Sequence, residues 1–141
     1  GDVALAADWL RLLEEQTVDY TLAWRLLADA AEGDATRLVT LCGHAGALDS
    51  WLERWRARAS QDGRPGTLRA TAMRRVNPQY IPRNHLVEEA LSAASETADL
   101  GPFEQLLEVL ARPFDERQGL QLYATPAPAD ITAGYQTFCG T

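Results

Sequence analysis

Residues 77–85, Asn77-Pro78-Gln79-Tyr80-Ile81-Pro82-Arg83-Asn84-His85, set two prolines around an aromatic and lead into a polar triplet. Pro78 and Pro82 have no amide hydrogen to donate and a fixed φ, and each pushes the residue before it, Asn77 or Ile81, away from helical geometry. A helix arriving through Leu68 to Val76 therefore has to stop. Pro82 suits the first position of a new helix, where a missing donor costs nothing, and Leu86, Val87, Ala90, Leu91 and Ala94 follow it at helical spacing. The stretch predicts a rigid helix-to-helix corner. Arg83, Asn84 and His85 then fall in the first turn of the outgoing helix, where amides lack intrahelical acceptors. Two uses follow: polar groups that satisfy backbone at a structural corner, or a catalytic pair of His85 with Asn84.

Upstream of the corner, Leu5, Trp9, Leu12 and Leu13 repeat every three to four residues, with Arg11, Glu14 and Glu15 on the other side, which predicts a first amphipathic helix. Thr17 and Asp19 are capping types, and Tyr20, Ala23, Trp24 and Leu27 carry a second helix to Gly33. Asp34 can cap a short third with Leu38, Val39, Leu41 and Cys42 on it. Leu48, Trp51, Leu52 and Trp55 make the fourth, and two tryptophans one turn apart are ordinarily core. After the loop at 60–66, helix five runs to Val76 and helix six from the corner to near Ala98. Asp99-Leu100-Gly101-Pro102 opens a seventh, with Phe103, Leu106, Leu107 and Leu110 as its apolar face, and Pro113 stops it. Beyond Phe114 periodicity is lost, and Pro126, Pro128 and Gly134 predict an extended segment anchored by Tyr123, Ile131, Tyr135 and Phe138. No hairpin signal and no internal repeat occur. The expected fold is all-α, about seven amphipathic helices in one compact domain over 1–113, with an irregular C-terminal tail over 114–141.

A chain of 141 residues that is 46% hydrophobic is long enough for one core. Its formal charge of −7 argues against a non-specific nucleic-acid binder and against anionic membranes. All 13 basic residues are arginine, so no phosphate-contacting lysine of the P-loop or kinase type can be built from these residues. No run is apolar over membrane-spanning length, and the first residue is Gly rather than Met, which suggests a piece excised from an intracellular protein.

The chemical inventory is thin. His44, His85, Cys42 and Cys139 show no ligand spacing, so no metal site is expected. Glu14-Glu15 and Glu88-Glu89 fit helix-surface charge. No Gly-x-Ser-x-Gly elbow occurs. Cys42 lies on an apolar helix side and fits a small buried hydrophobe. Cys139, three residues from the end among small residues, is the one position suited to reaction with an oxidant or another thiol, unless it is an ordinary terminal cysteine.

Asp19-Tyr20-Thr21, Trp51-Leu52, Met73 followed by Asn77-Pro78, Arg83-Asn84, Pro113-Phe114 and the ending Phe138-Cys139-Gly140-Thr141 together resemble the C-terminal part of the selenoprotein O (YdiU) family, over nearly the whole chain. The resemblance implies a kinase-like parent that transfers AMP from ATP to protein hydroxyls, with ATP and Mg²⁺ as its cofactors. The family's glycine-rich loop, lysine and metal-binding Asp and Asn lie upstream of the matching region and have no counterpart here. No catalytic, cofactor-binding or metal residue is thus expected in this chain, and Asn77, Pro78, Arg83 and Asn84 are carried over as structural motif residues. Some relatives hold selenocysteine where Cys139 stands, which implies a redox role for Cys139 with a partner cysteine elsewhere in the parent. The implied partners are an upstream kinase-like domain of the same chain and the parent's protein substrates, in a bacterial cytoplasm, without nucleic acid or membrane. A stand-alone helical module that binds a protein through an exposed aromatic face is the alternative.

Overall fold

The computed structural model describes residues 1–43 and 46–128, and among these it is all-helical. Eight helices follow in order: α1 Asp2–Glu15, α2 Tyr20–Glu32, α3 Thr36–Cys42, α4 Gly46–Ser60, α5 Gly66–Val76, α6 Asn84–Thr97, α7 Gly101–Leu110 and α8 Gln121–Ala124. They gather into two compact units, one ending at Gln79 and the other beginning at Tyr80. The division falls inside the proline corner, whereas the sequence suggests a boundary after Pro113. The reason is local: two prolines in five residues interrupt the helical ladder there, while the segment after Pro113 has apolar residues that pack back onto its own unit.

In the first unit α2 packs against α5 and α3, and α1 packs against α4. The start of α2 is set by Asp19, whose carboxylate accepts the amide of Leu22 at 2.8 Å, and its end by Gly33 in left-handed conformation at φ 105°. Asp34 accepts the Thr36 amide at 2.9 Å, one residue ahead of the α3 cap position at Ala35. The core runs through Trp9, Leu12, Leu27, Leu38, Leu48, Trp51 and Leu52. Trp9 and Trp51 stack at 4.4 Å between ring centroids, and Trp24 meets Trp9 edge-on at 5.9 Å. Burying an aromatic ring of this kind contributes about 3 kcal/mol of transfer free energy. The Trp51 indole also donates to the Leu5 carbonyl at 2.8 Å, tying α4 to α1. At the start of α5 the backbone of Gly66 lies against the Ala31 carbonyl of α2, where a Cβ would overlap that oxygen.

In the second unit α6 packs on α7. The corner ends its helix-free stretch later than the prolines suggest: α6 begins at Asn84, with Arg83 extended at φ −77° and ψ 127° in the cap position, so Pro82 lies outside the helix. Arg83 keeps this conformation because its carbonyl accepts the amides of Leu86 and Val87 and closes the first turn. The apolar face of α7 is rotated from the expected one, with Leu106 and Val109 buried while Phe103 and Leu107 are exposed. Leu91, expected on the α6 stripe, is likewise exposed. Part of the segment expected to be irregular folds: α8 presents Ala124 to a small core of Tyr80 and Val109, with Leu110, Leu120 and Tyr123 packed around it.

The Gly66 contact is one of main chain on main chain, so it offers no side chain that could yield. Gly66→Ala should lower stability by about 1–3 kcal/mol, seen as a lower urea midpoint with unchanged m-value. Gly46→Ala, at a helix start with open space around it, should leave the midpoint within about 0.5 kcal/mol of the parent.

Candidate functional site

The corner is built differently on its two sides. On the side of the first unit, α5 closes with the Asn77 amide donating to the Met73 carbonyl at 2.9 Å, and Asn77 is extended at ψ 110°, as the following proline requires. The carbonyls of Arg74 and Asn77 both accept from one terminal nitrogen of Arg25, at 3.0 and 3.1 Å. Arg25 lies on α2 and is only 4% exposed. A guanidinium in that position meets the electronegative end of a helix and fills carbonyls that have no amide beyond them. Pro78 and Asn77, with Tyr20, Thr21, Trp24 and Val76, line an open cleft of about 440 Å³.

On the other side, Tyr80 is 2% exposed and held at both ends. Its amide donates to the Pro113 carbonyl at 3.1 Å, and its hydroxyl accepts the Arg117 amide at 2.9 Å. The Arg117 guanidinium lies over the Tyr80 ring, 5.5 Å from its centroid, and donates to the Val109 carbonyl at 2.8 Å. Arg83, 8% exposed, donates to the Ala124 carbonyl at 3.0 Å, at the last residue of α8. Asn77 and Pro78 follow the end of α5, Arg83 donates to the last residue of α8, and Asn84 is the exposed first residue of α6.

His85 and Asn84 do not form a pair. Neighbouring residues of a helix project about 100° apart, and no hydrogen bond joins these two side chains. Among the described residues, the corner assembles carbonyls and guanidinium groups with no nucleophile or general base held against them. Cys139 and His44 lie outside the described residues. Cys42 is a free thiol inside the first core, and burial pushes its pKa up, away from the reactive thiolate. No three of His, Cys, Asp and Glu converge among the described residues.

Charge in the first unit is organised by arginines. Arg74 bridges Asp29 at 2.7 Å and Glu32. Its guanidinium holds the Glu32 carboxyl below the ordinary carboxylate value. Arg69 grips both oxygens of Asp62, at 2.6 and 3.1 Å, while donating to the Ala59 carbonyl near the end of α4. That grip, together with the Arg64 amide at 3.0 Å, sets the Asp62 pKa to about 2. Arg25, Tyr80 and Arg117 carry most of this architecture and escape sequence reasoning. Two signals were available: Arg25 interrupts a run of apolar residues on α2, and Tyr80 is an aromatic confined between two prolines.

The family model described as Protein adenylyltransferase SelO matches residues 2–111. Among similar proteins, "Protein nucleotidyltransferase YdiU" of Chromobacterium violaceum is 57% identical over 141 residues, covering 99% of this chain and 29% of that protein. The protein of the same description from Cereibacter sphaeroides strain KD131 is 48% identical over 100% of this chain and 28% of its own length. That from Rhizobium meliloti strain 1021 is 45% identical over 99% and 29%. The chain therefore spans less than a third of these relatives.

Arg25→Met keeps the aliphatic stem and strips two helix-end carbonyls of their donor; unfolding should require about 2–4 kcal/mol less, measured by urea denaturation. In Arg69→Met the Asp62 carboxyl should titrate above about 2 yet still below the ordinary carboxylate value, because the Arg64 amide remains on it, in a carbon-detected NMR pH series. The sign follows from a depressed pKa: what the Asp62–Arg69 pair contributes is present above the ordinary carboxylate value and fades as pH falls toward 2. An unmoved Asp62 titration in the variant would place the cause elsewhere.

Proposed function

The chain belongs to the protein adenylyltransferase SelO family, and from that premise we propose that it is the C-terminal helical part of a longer enzyme that transfers AMP from ATP to protein hydroxyl groups. The observation that carries this is the family match over residues 2–111 joined to a coverage of 29% of a relative that is 57% identical. In this reading the catalytic machinery, with its ATP and Mg²⁺, resides in the larger remainder. These helices brace it. Two features support a bracing role: the corner holds backbone rather than reactive groups, and the first unit exposes Tyr20 at 59% and Val76 at 72% beside the 440 Å³ cleft, apolar surface that a neighbouring domain would cover.

Cys139 serves in this proposal as a redox control, forming a disulfide with a cysteine of the catalytic part, and the parent's substrates are protein Ser, Thr or Tyr hydroxyls. The location is the bacterial cytoplasm. In keeping with that, no helix among the described residues is long and apolar enough to cross a membrane.

Titration of the 141-residue chain with ATP and Mg²⁺ in a calorimeter should give no saturable heat. Saturable binding would overturn the assignment of the nucleotide site to the remainder of the parent. For the tail, removing everything after Arg112 would also take Arg117, Leu120 and Ala124 from the Tyr80 core, so truncation after Pro128 is the cleaner experiment. In the full-length parent, that truncation and Cys139→Ser should each leave AMP transfer under reducing conditions within about twofold and abolish its response to oxidant, because a disulfide cannot form without this sulfur. An undiminished oxidant response in Cys139→Ser would refute the redox role.

A further inference from the structure

In the second unit, α7 carries more apolar residues than its own unit covers. Leu106 and Val109 are buried, while Leu100, Phe103 and Leu107, three and four residues apart, are 54%, 40% and 52% exposed. At about 100° per residue these three fall within roughly 60° of one another and form a single stripe. Phe114, just past the helix, is exposed as well. An apolar stripe left in solvent marks a surface that another surface covers.

Charge defines what that second surface is. Glu104 stands one turn from both Leu100 and Leu107, and Glu108 one turn beyond Glu104. Two carboxylates at that spacing repel, and Glu108 lies in the last turn, where the helix end favours a cation. Among the described residues no base pairs with either carboxylate. From Asn84 to Ala111 the chain has Glu88, Glu89, Glu96, Asp99, Glu104 and Glu108 but no arginine or lysine. A second copy would set carboxylate against carboxylate, and an anionic membrane or a nucleic acid would be repelled. An apolar surface edged by arginine or lysine fits. A separate protein would need about 800 Å² on each side for a stable complex, far more than four partly exposed side chains provide. A segment of the same polypeptide needs less, because the tether supplies a high local concentration. The chain covers 29% of its 57% identical relative, so more than two thirds of such a protein lies outside it. We propose that the stripe of Leu100, Phe103 and Leu107, edged by Glu104 and Glu108, docks on an apolar surface flanked by arginine or lysine in the part of the parent polypeptide outside this chain. The inference rests on the reading of the chain as part of a longer enzyme, and it adds where the contact lies and what faces it.

Hydroxyl-radical footprinting read by mass spectrometry compares the full-length parent with the 141-residue chain, at a dose matched by a free-phenylalanine standard. Phe103 and Leu107 should oxidise at least fivefold more slowly in the parent. Buried Leu106 and Val109 should stay slow in both, which reports that α7 is folded in each. Reversing the edge charge in the parent, with Glu104→Arg and Glu108→Arg together, should speed oxidation of Phe103 and Leu107 at least threefold. Equal oxidation of these two residues in parent and chain would overturn the docking, as would protection in the chain alone that grows with its concentration, the mark of a second copy. Protection unchanged by charge reversal would overturn the basic character of the partner surface. AMP transfer by the same parent preparation is assayed alongside. Activity without protection sinks the docking and leaves the enzymatic reading standing, and protection without activity does the reverse.

Discussion

The arginine guanidinium directed at the end of a helix is the interaction on which this chain depends. Every α-helix leaves its last carbonyls without amide partners, and a small all-helical protein has many such ends to satisfy close to its core. Here Arg25 meets the end of α5, Arg69 the end of α4, Arg117 the end of α7 and Arg83 the end of α8. The charge suits the electronegative C-terminus, and the flat fork lets one side chain serve two acceptors. Arg69 uses that fork most fully, with a carboxylate on one side and a carbonyl on the other. A lysine could supply the charge but not the fixed pair of directions.

The same arrangement explains why the proline corner is a place of architecture. Pro78 and Pro82 withdraw two amides from the hydrogen-bond inventory of the chain, and the carbonyls around them must find donors in side chains or in distant backbone. Arg25 supplies a donor on one side; on the other, the corner's own Tyr80 donates its amide to the Pro113 carbonyl, and its hydroxyl accepts the Arg117 amide. A polar cluster at a corner invites a catalytic interpretation, yet its Arg83 donates to the carbonyl that ends α8.

The helices themselves were legible because their apolar spacing is strong and their stops are prolines and glycines: Gly33, the Asn77-Pro78 break and the Gly101-Pro102 start all stand where the sequence sets them. What periodicity could not resolve was rotation and reach. On α7, Phe103 and Leu107 satisfy a helical stripe as well as Leu106 and Val109 do, and only the packing against α6 and the Tyr80 cluster selects between them. The placement of Pro82 outside α6 came from the Arg83 carbonyl closing the first turn, a preference invisible in residue type. Arg25 and Arg117 were hidden for a different reason. A charged residue on a helix is ordinarily solvated, and its burial here depends on a helix end distant in sequence. Among the motif residues, the helix-ending task of Asn77-Pro78 was legible, whereas the reach of Arg83 to the carbonyl that ends α8 was not.

Gly66 carries a mechanical consequence. Where two helices cross through interlocking side chains, rotamer changes absorb small displacements and the crossing angle drifts; where main chain touches main chain, nothing soft lies between them. The contact of Gly66 with Ala31 therefore acts as a stiff bearing at one end of α5, and that helix spans about 16 Å to Val76 at roughly 1.5 Å per residue. Arg25 clamps the other end. With a bearing at its root and a clamp at its tip, α5 is held to α2 at both ends, by main chain at Gly66 and by a side chain at Asn77.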